Sequence, residues 1–201
     1  DVYKRQVRLH VVDVSEPSMH EPVSDLRRVL EELEFEWGLT DLECDPHVLM
    51  ALQGALRDGQ WQVTVAVFRE REIVAIWPAY HETALGMAFD IGSTTIAAHL
   101  VALASGEALA SAGRMNPQIR FGEDLMSRVS YVMMHPGAEQ QMCEAVRTAV
   151  AELIVEVCAE ADQKLNNILD CTFVGNPIMH HLLLGLSPVE LGGAPFALAT
   201  D

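Results

Sequence analysis

No apolar run in this 201-residue chain approaches the ~20 residues that a membrane-spanning helix needs; stretches such as HHLLLGL fall far short. The start, DVYKRQVRLHVV, lacks an apolar core of the length that a secretory signal carries. Basic residues are scarce: 13 Lys and Arg stand against 29 Asp and Glu, a net charge of −16. The deficit is even, with 8 basic and 16 acidic residues before Met87 and 5 and 13 from Met87 onward. Neither half therefore offers a basic lobe for a phosphate backbone, and no nucleic-acid partner is expected. The acidity reads as a solvated surface, with a basic partner protein as the alternative. The four cysteines, Cys44, Cys143, Cys158 and Cys171, form no C-x-x-C pair, so no zinc site or iron–sulfur cluster is expected within the chain. Cys143 and Cys158 lie in a helical pattern as buried, reduced thiols, which fits a cytoplasmic location. Internal repeats and low-complexity segments are absent too.

What remains is a globular composition, 50% hydrophobic and 21% charged, long enough for one large domain or two small ones. Residues 1–6, DVYKRQ, resemble translated adapter read-through and are left out of the fold reasoning. The end, GGAPFALATD, stops soon after a helix without a closing element, so the chain is expected to be a fragment. From Val7 the alternation of Val7, Leu9 and Val11 predicts a half-buried strand. SDLRRVLEELEFEWG predicts a helix capped by Ser24 and stopped by Gly38, with Leu26, Val29, Leu30 and Leu33 on one face. DPHVLMALQGALRDG predicts a second, with Asp45 as cap, Pro46 at its first position and Gly59 past its end. WQVTVAVF and EIVAIWPAY follow as strands around a tight RERE turn. Residues 7–80 thus read as a small α+β unit.

A different rhythm starts at Gly86. Strands are predicted at 86–91, 95–104 and 107–114, joined by GST and SGE turns. A helix from about Glu123 to Met134 comes next, then a long amphipathic helix over 138–164 with Met142, Val146, Ala149, Leu153, Val157 and Ala161 on one stripe. CTFVG predicts a buried strand, expected to pair in parallel with the first strand of the meander through a right-handed crossover. NPIMHHLLLG opens a short helix after it.

Three stretches carry chemistry. In FDIGSTT, a Gly/Ser/Thr turn between two strands can aim backbone N–H groups and hydroxyls at one point, which suits phosphate oxygens. Asp90 at the strand end could hold Mg²⁺ through water. The stretch is not a Walker A loop, having no Lys and a strand after it, and a plain hairpin turn accounts for the same residues. RMNPQIRFGED gathers Arg114, Asn116, Gln118 and Arg120 in one loop. It reads as an anion or partner site, or equally as an Asn116–Pro117 turn with Gly122 swinging the chain into a helix favoured by Glu123 and Asp124. In VGNPIMHH, Gly175 and Asn176 sit where a strand meets a helix, where α/β crevices form, although Asn176 as an N-cap explains them structurally. His180 and His181 point about 100° apart on a helix and make a poor metal pair.

In this order and spacing, GMAFDIGSTTIAAHLVALASGEALAS, NPQIRFGEDLMSRVSY, FVGNPIMHHLLLG and the PF near the end resemble the reductive activators of corrinoid proteins. That family lies in the acetate kinase, sugar kinase, Hsp70 and actin superfamily. SDLRRVLEEL and EIVAIWPAY resemble its linker region, and the likeness covers nearly all of residues 7–201. The resemblance implies a mixed α/β fold: a ribonuclease-H-like half of an actin-like ATPase fold at 84–201, truncated at its C-terminus, preceded by a small α+β linker domain at 7–83. It implies that the intact protein uses ATP to drive the transfer of an electron from a [2Fe–2S] cluster to the cobalt of a corrinoid protein. Asp90, Gly92, Ser93, Thr94 and Thr95 match the family's first phosphate motif, with Ser93 where Thr is more usual. Asp90 is thereby implied as catalytic and as a Mg²⁺ ligand through water, the other four as phosphate-binding. Asn116, Gln118, Gly122, Glu123 and Asp124 match a second block and Gly175 and Asn176 a third; Asn116, Gln118, Gly175 and Asn176 are carried over as cleft or partner contacts. ATP and Mg²⁺ are the implied cofactors, with the [2Fe–2S] domain expected upstream and a second phosphate loop missing. A corrinoid protein is the implied partner, and the apolar stripe of a half-fold invites a homodimer. The fragment alone is expected to be inactive. The alternatives are a small-molecule kinase of the same superfamily and a non-catalytic docking module.

Overall fold

The computed structural model describes residues 6–20 and 22–200; residues 1–5 of the excluded hexapeptide lie outside it. By internal packing the chain divides into two compact units, one ending at Ala84 and the other beginning at Leu85.

The first unit is a four-stranded sheet carrying two helices. Its elements are β1 (Val7–Asp13), α1 (Asp25–Trp37), β2 (Glu43–Cys44), α2 (Pro46–Asp58), β3 (Gln62–Phe68) and β4 (Glu72–Pro78), in the sheet order β1-β3-β4-β2. The predicted caps form. The Ser24 side chain accepts from the Arg27 N–H, Gly38 ends α1 in the left-handed region at φ 68°, and the Asp45 side chain accepts from the His47 N–H. The two-residue β2, parallel to β4, is too short for any periodicity to betray.

The β1 side chains differ from the expected arrangement. Val12 pairs with Val63, His10 with Val65 and Arg8 with Val67, and it is Val12, Val14, Val63, Val65 and Val67 that share a core with Val29, Leu33, Leu52 and Leu56 of the helices. Val7, Leu9 and Val11 therefore occupy the opposite face, because register against β3 decides the side and alternation alone cannot. The same register puts His10 in the helix-facing row, 7% exposed, its ring edge-on to Trp37 at 4.7 Å. Among the described residues neither ring nitrogen of His10 has a hydrogen-bond partner.

The second unit is an antiparallel meander, β5 (Leu85–Ile91), β6 (Thr95–Ala102) and β7 (Ala108–Met115), closed by β8 (Ile168–Gly175) in parallel with β5. The order β7-β6-β5-β8 is the ribonuclease-H-like half expected. Between β7 and β8 run a 3₁₀ turn (Pro117–Phe121), α3 (Leu125–Met134) and α4 (Ala138–Glu160); α5 (Pro177–Leu184) follows β8. Alternation puts Met87, Phe89 and Ile91 of β5 and Ile96, Ala98 and Leu100 of β6 on one face. Met142, Val146, Leu153 and Val157 of α4 recur at helical spacing over that face, each 0% exposed. A fully buried Leu or Val in such a stripe contributes about 1.5–3 kcal/mol through burial.

Two expectations are corrected. The CTFVG strand is not buried: residues 171–175 are all exposed, because β8 is the last strand of its sheet and has a neighbour on one side only. Phe173 lies stacked on Phe89 at 4.8 Å and is still 42% exposed. The long helix ends at Glu160 rather than near 164.

Burial, then the neighbouring Arg8 charge, hold the His10 pKa below its ordinary value of 6.5, against a smaller opposing effect of Glu70. The unfolded chain thus binds the proton more readily than the folded one, so stability rises with pH across this window. The stability that neutral His10 secures is complete above pH 6.5 and declines as pH falls through the depressed folded value. His10→Phe, which keeps the ring against Trp37, is expected to flatten this loss. Urea midpoints of the first unit at about pH 7.5 and about pH 5.5 check it: the wild-type chain should fall more than the variant, and equal falls would contradict the reading.

Candidate functional site

Parallel pairing of β5 with β8 aligns Asp90 with Val174 and Ile91 with Gly175. Both strands thus end side by side, and the segments that follow them, 92–94 and 176–177, leave the sheet at the same edge. β7 ends at Met115, opposite Thr95, so Asn116 arrives at that edge as well. Three stretches far apart in sequence are brought to one place by strand register alone.

The turn is held from within. Asn116 is 0% exposed. Its Nδ2 donates to the Gly92 carbonyl at 2.8 Å, and its backbone N–H donates to the Thr94 carbonyl at 2.8 Å. Its Oδ1 caps the 3₁₀ turn by accepting from the Gln118 N–H at 2.9 Å. Gln118, also 0% exposed, donates Nε2 to the Met142 carbonyl of α4 at 2.9 Å. The carbonyl of Ser93 accepts from Nη2 of Arg128, a fully buried residue of α3. Arg128 also donates Nε to the Gly122 carbonyl at 2.9 Å, and its Nη1 reaches Gln118 Oε1 at 3.4 Å and Met179 Sδ at 3.2 Å.

These inward bonds fix which way the turn's amides point. A trans peptide directs its N–H opposite its C=O. With the Gly92 and Ser93 carbonyls turned onto buried donors, the Ser93 and Thr94 amides face the other way, and neither donates a hydrogen bond among the described residues. Thr94 and Thr95 are exposed and Ser93 half-buried, so hydroxyls accompany the amides. Gly92 is required for closeness: a Cβ there would meet the Thr95 carbonyl oxygen at 2.5 Å. Asp90, the last outward residue of β5 before the turn, is exposed, and its carboxylate has no hydrogen bond or ion pair among the described residues. Two adjacent free amides, three hydroxyls and a free carboxylate suit phosphate oxygens with a hydrated divalent cation.

The other residues singled out in the sequence fall into two groups. Asn116 and Gln118 do not face a cleft or a partner: both are sealed, and their amides are spent on the turn, the 3₁₀ cap and α4. Gly175 is exposed and lies against Ile91, where an added Cβ would sit 3.1 Å from the Ile91 carbonyl oxygen. Asn176 caps α5 by accepting from the Met179 N–H at 3.0 Å. Asp124 likewise caps α3, and its carboxyl lies below the usual range because the Ser127 backbone N–H, then the Ser127 hydroxyl, bond to it. Arg114 points away from the turn and is paired with Glu152 and Glu156 of α4. Arg120 stands over Phe121, 4.7 Å from the ring centroid. Both line a groove of about 660 Å³ along α4.

The residues that sequence reasoning missed are Arg128 and Met179. An Arg at the second position of SRVSY looks like a solvated helix residue, and no local pattern says that it is buried. The cysteines are free, two of them buried in α4 and the others on β2 and β8. No group of three or more His, Cys, Asp or Glu able to hold a metal ion occurs among the described residues. No described helix is long and apolar enough to cross a membrane.

Replacing Asn116 by Ala leaves the Gly92 carbonyl and the Gln118 N–H without their partners, at about 1–3 kcal/mol each when buried. The variant is expected to lose roughly 2–4 kcal/mol of stability in the second unit. Urea unfolding followed by probes in that unit checks this, and a loss below about 1 kcal/mol would show that the turn does not lean on Asn116.

The profile of the RACo middle region matches residues 85–201, and that of the RACo linker region matches residues 2–83. The corrinoid activation enzyme RamQ of Eubacterium limosum is 39% identical over 111 residues, 55% of this chain and 19% of RamQ. A solved structure of a reductive activator for a corrinoid, iron–sulfur protein superposes with a TM-score of 0.81 at 28% identity, over 96% of this chain and 31% of that one. The chain therefore spans less than a third of the length of either relative. With a linker region followed by a middle region in the order the sequence led one to expect, the chain belongs to the RACo family.

Proposed function

We propose that this chain is the linker and nucleotide-facing middle portion of an ATP-dependent reductive activator that acts on a corrinoid protein. One observation carries the nucleotide part: the Ser93 and Thr94 amides are turned away from the protein by buried donors on the preceding carbonyls. Two adjacent amides left to solvent beside an unpaired carboxylate are available to an anion and its hydrated cation. The corrinoid part rests on the relatives, whose names tie them to corrinoid activation.

In this reading Ser93, Thr94 and Thr95 hold phosphate oxygens through amides and hydroxyls, and Gly92 lets the two strands close tightly enough to present them. Asp90 accepts hydrogen bonds from the hydration shell of Mg²⁺, which keeps most of its waters. Asn116 and Gln118 keep the turn rigid, so that its donors need little rearrangement when an anion arrives. Asn176 and α5 form the neighbouring lip through the Ile91–Gly175 contact. ATP, when bound, supplies the free energy for an otherwise uphill one-electron reduction of cobalt. The electron's source, a [2Fe–2S] cluster, belongs to another part of the longer protein, as does the lobe facing the turn across the cleft.

Asp90→Ala in the longer protein, with its fold intact by circular dichroism, is expected to lower ATP-dependent corrinoid reduction by about 10²-fold or more. Reduction by a strong chemical donor should stay unchanged. Undiminished ATP-dependent reduction would overturn the assignment of the turn as the nucleotide wall.

A further inference from the structure

Arg128 does more than a tie requires. Its donors meet the Gly122 and Ser93 carbonyls, the Gln118 side-chain oxygen and the Met179 sulfur, all of them neutral. It forms no ion pair among the described residues, and the side chain is 0% exposed. Burial pulls its pKa down and the surface carboxylate of Asp124 acts the other way, yet a guanidinium stays protonated under any ordinary condition. A desolvated cation without a counter-charge is costly. Neutral amides tie neighbouring segments at the same spot, as Asn116 and Gln118 show, so the charge itself calls for a use.

That use lies on the far side of one peptide unit. The Ser93 carbonyl accepts a charge-assisted bond, which polarises the Ser93–Thr94 peptide and strengthens its N–H as a donor. The charge also sits in low dielectric, where its field toward the outer face of the turn is weakly screened. We propose that Arg128 is a positioning residue that makes this turn selective for polyphosphate chains. It fixes the Thr94 amide outward and supplies a buried positive charge without touching the ligand. The proposal rests on the phosphate reading of the turn, and it adds that affinity climbs with the ligand's negative charge because of Arg128.

The test titrates the ¹⁵N-labelled chain with inorganic phosphate, pyrophosphate and tripolyphosphate while following the Ser93 and Thr94 amide resonances. Binding on the order of millimolar suffices for detection. The wild-type chain should bind tripolyphosphate most tightly. Arg128→Gln, if its spectrum stays dispersed, should weaken tripolyphosphate about tenfold while barely changing phosphate, and Arg128→Lys should recover part of the loss. A folded Arg128→Gln chain that binds all three ligands as the wild type does would overturn the role given to Arg128 and leave the phosphate reading standing. Ser93 and Thr94 amides that no ligand moves would overturn both. If Arg128→Gln does not fold, the wild-type guanidinium resonances decide: they should shift along the same saturation curve as the Thr94 amide, and fixed resonances beside a moving amide would overturn the proposal alone.

Discussion

The second unit is organised around one buried guanidinium. Arg128 bonds to segments from four places in the chain: the β5–β6 turn at Ser93, the 3₁₀ turn at Gln118, the loop at Gly122 and α5 at Met179. Around these contacts β5 and β8 pair in parallel, Asp124 caps α3 and the chain passes tightly at Gly122. An added Cβ at Gly122 would meet the Arg128 backbone nitrogen at 2.8 Å. The planar fork of Arg is what allows one side chain to satisfy so many acceptors at fixed angles, and Lys could not reproduce it. A buried arginine of this kind is a demanding element, since a loss of any acceptor leaves charge and donors stranded in an apolar surrounding.

Asn116 is its neutral counterpart. It binds the carbonyls on either side of the one that Arg128 holds, those of Gly92 and Thr94. Three successive carbonyls are therefore turned inward, and the geometry of the trans peptide does the rest for the amides of Ser93 and Thr94. The site is thus prepared by what lies beneath it rather than by the residues that would meet a ligand. Met179 completes the floor, its sulfur within reach of both Arg128 at 3.2 Å and Asn116 at 3.8 Å. A thioether accepts weakly from both while filling the irregular space between them.

Much of this was legible in the sequence, for reasons that can be named. Helix limits followed from caps whose chemistry is local: Ser24 and Gly38, Asp45 and Pro46, Asn176 and Pro177. The meander followed from alternation and its small turns, and Gly92, Ser93 and Thr94 stood out because a turn of that composition invites a ligand. What stayed hidden depends on pairing at a distance. The face of β1 was set by its register with β3, which the local pattern of Val7, Leu9 and Val11 does not encode. The exposure of β8 follows from its place at the sheet edge, and CTFVG reads as a core strand because composition reports propensity and not neighbours. Asn116 and Gln118 looked like surface groups in a polar loop, whereas the loop folds inward and buries them. Arg128 gave no signal at all, since a buried cation among neutral acceptors has no sequence pattern.

We propose that inward-held carbonyls make the β5–β6 turn one wall of a nucleotide cleft. A crystal structure of the longer protein with Mg²⁺ and a non-hydrolysable ATP analogue tests it most directly. A phosphate oxygen is expected about 2.7–3.2 Å from the Ser93 or Thr94 amide nitrogen, with Arg128 still buried on the Ser93 carbonyl and out of contact with the ligand. Phosphates bound elsewhere, or an Arg128 side chain swung out to grip them, would contradict it.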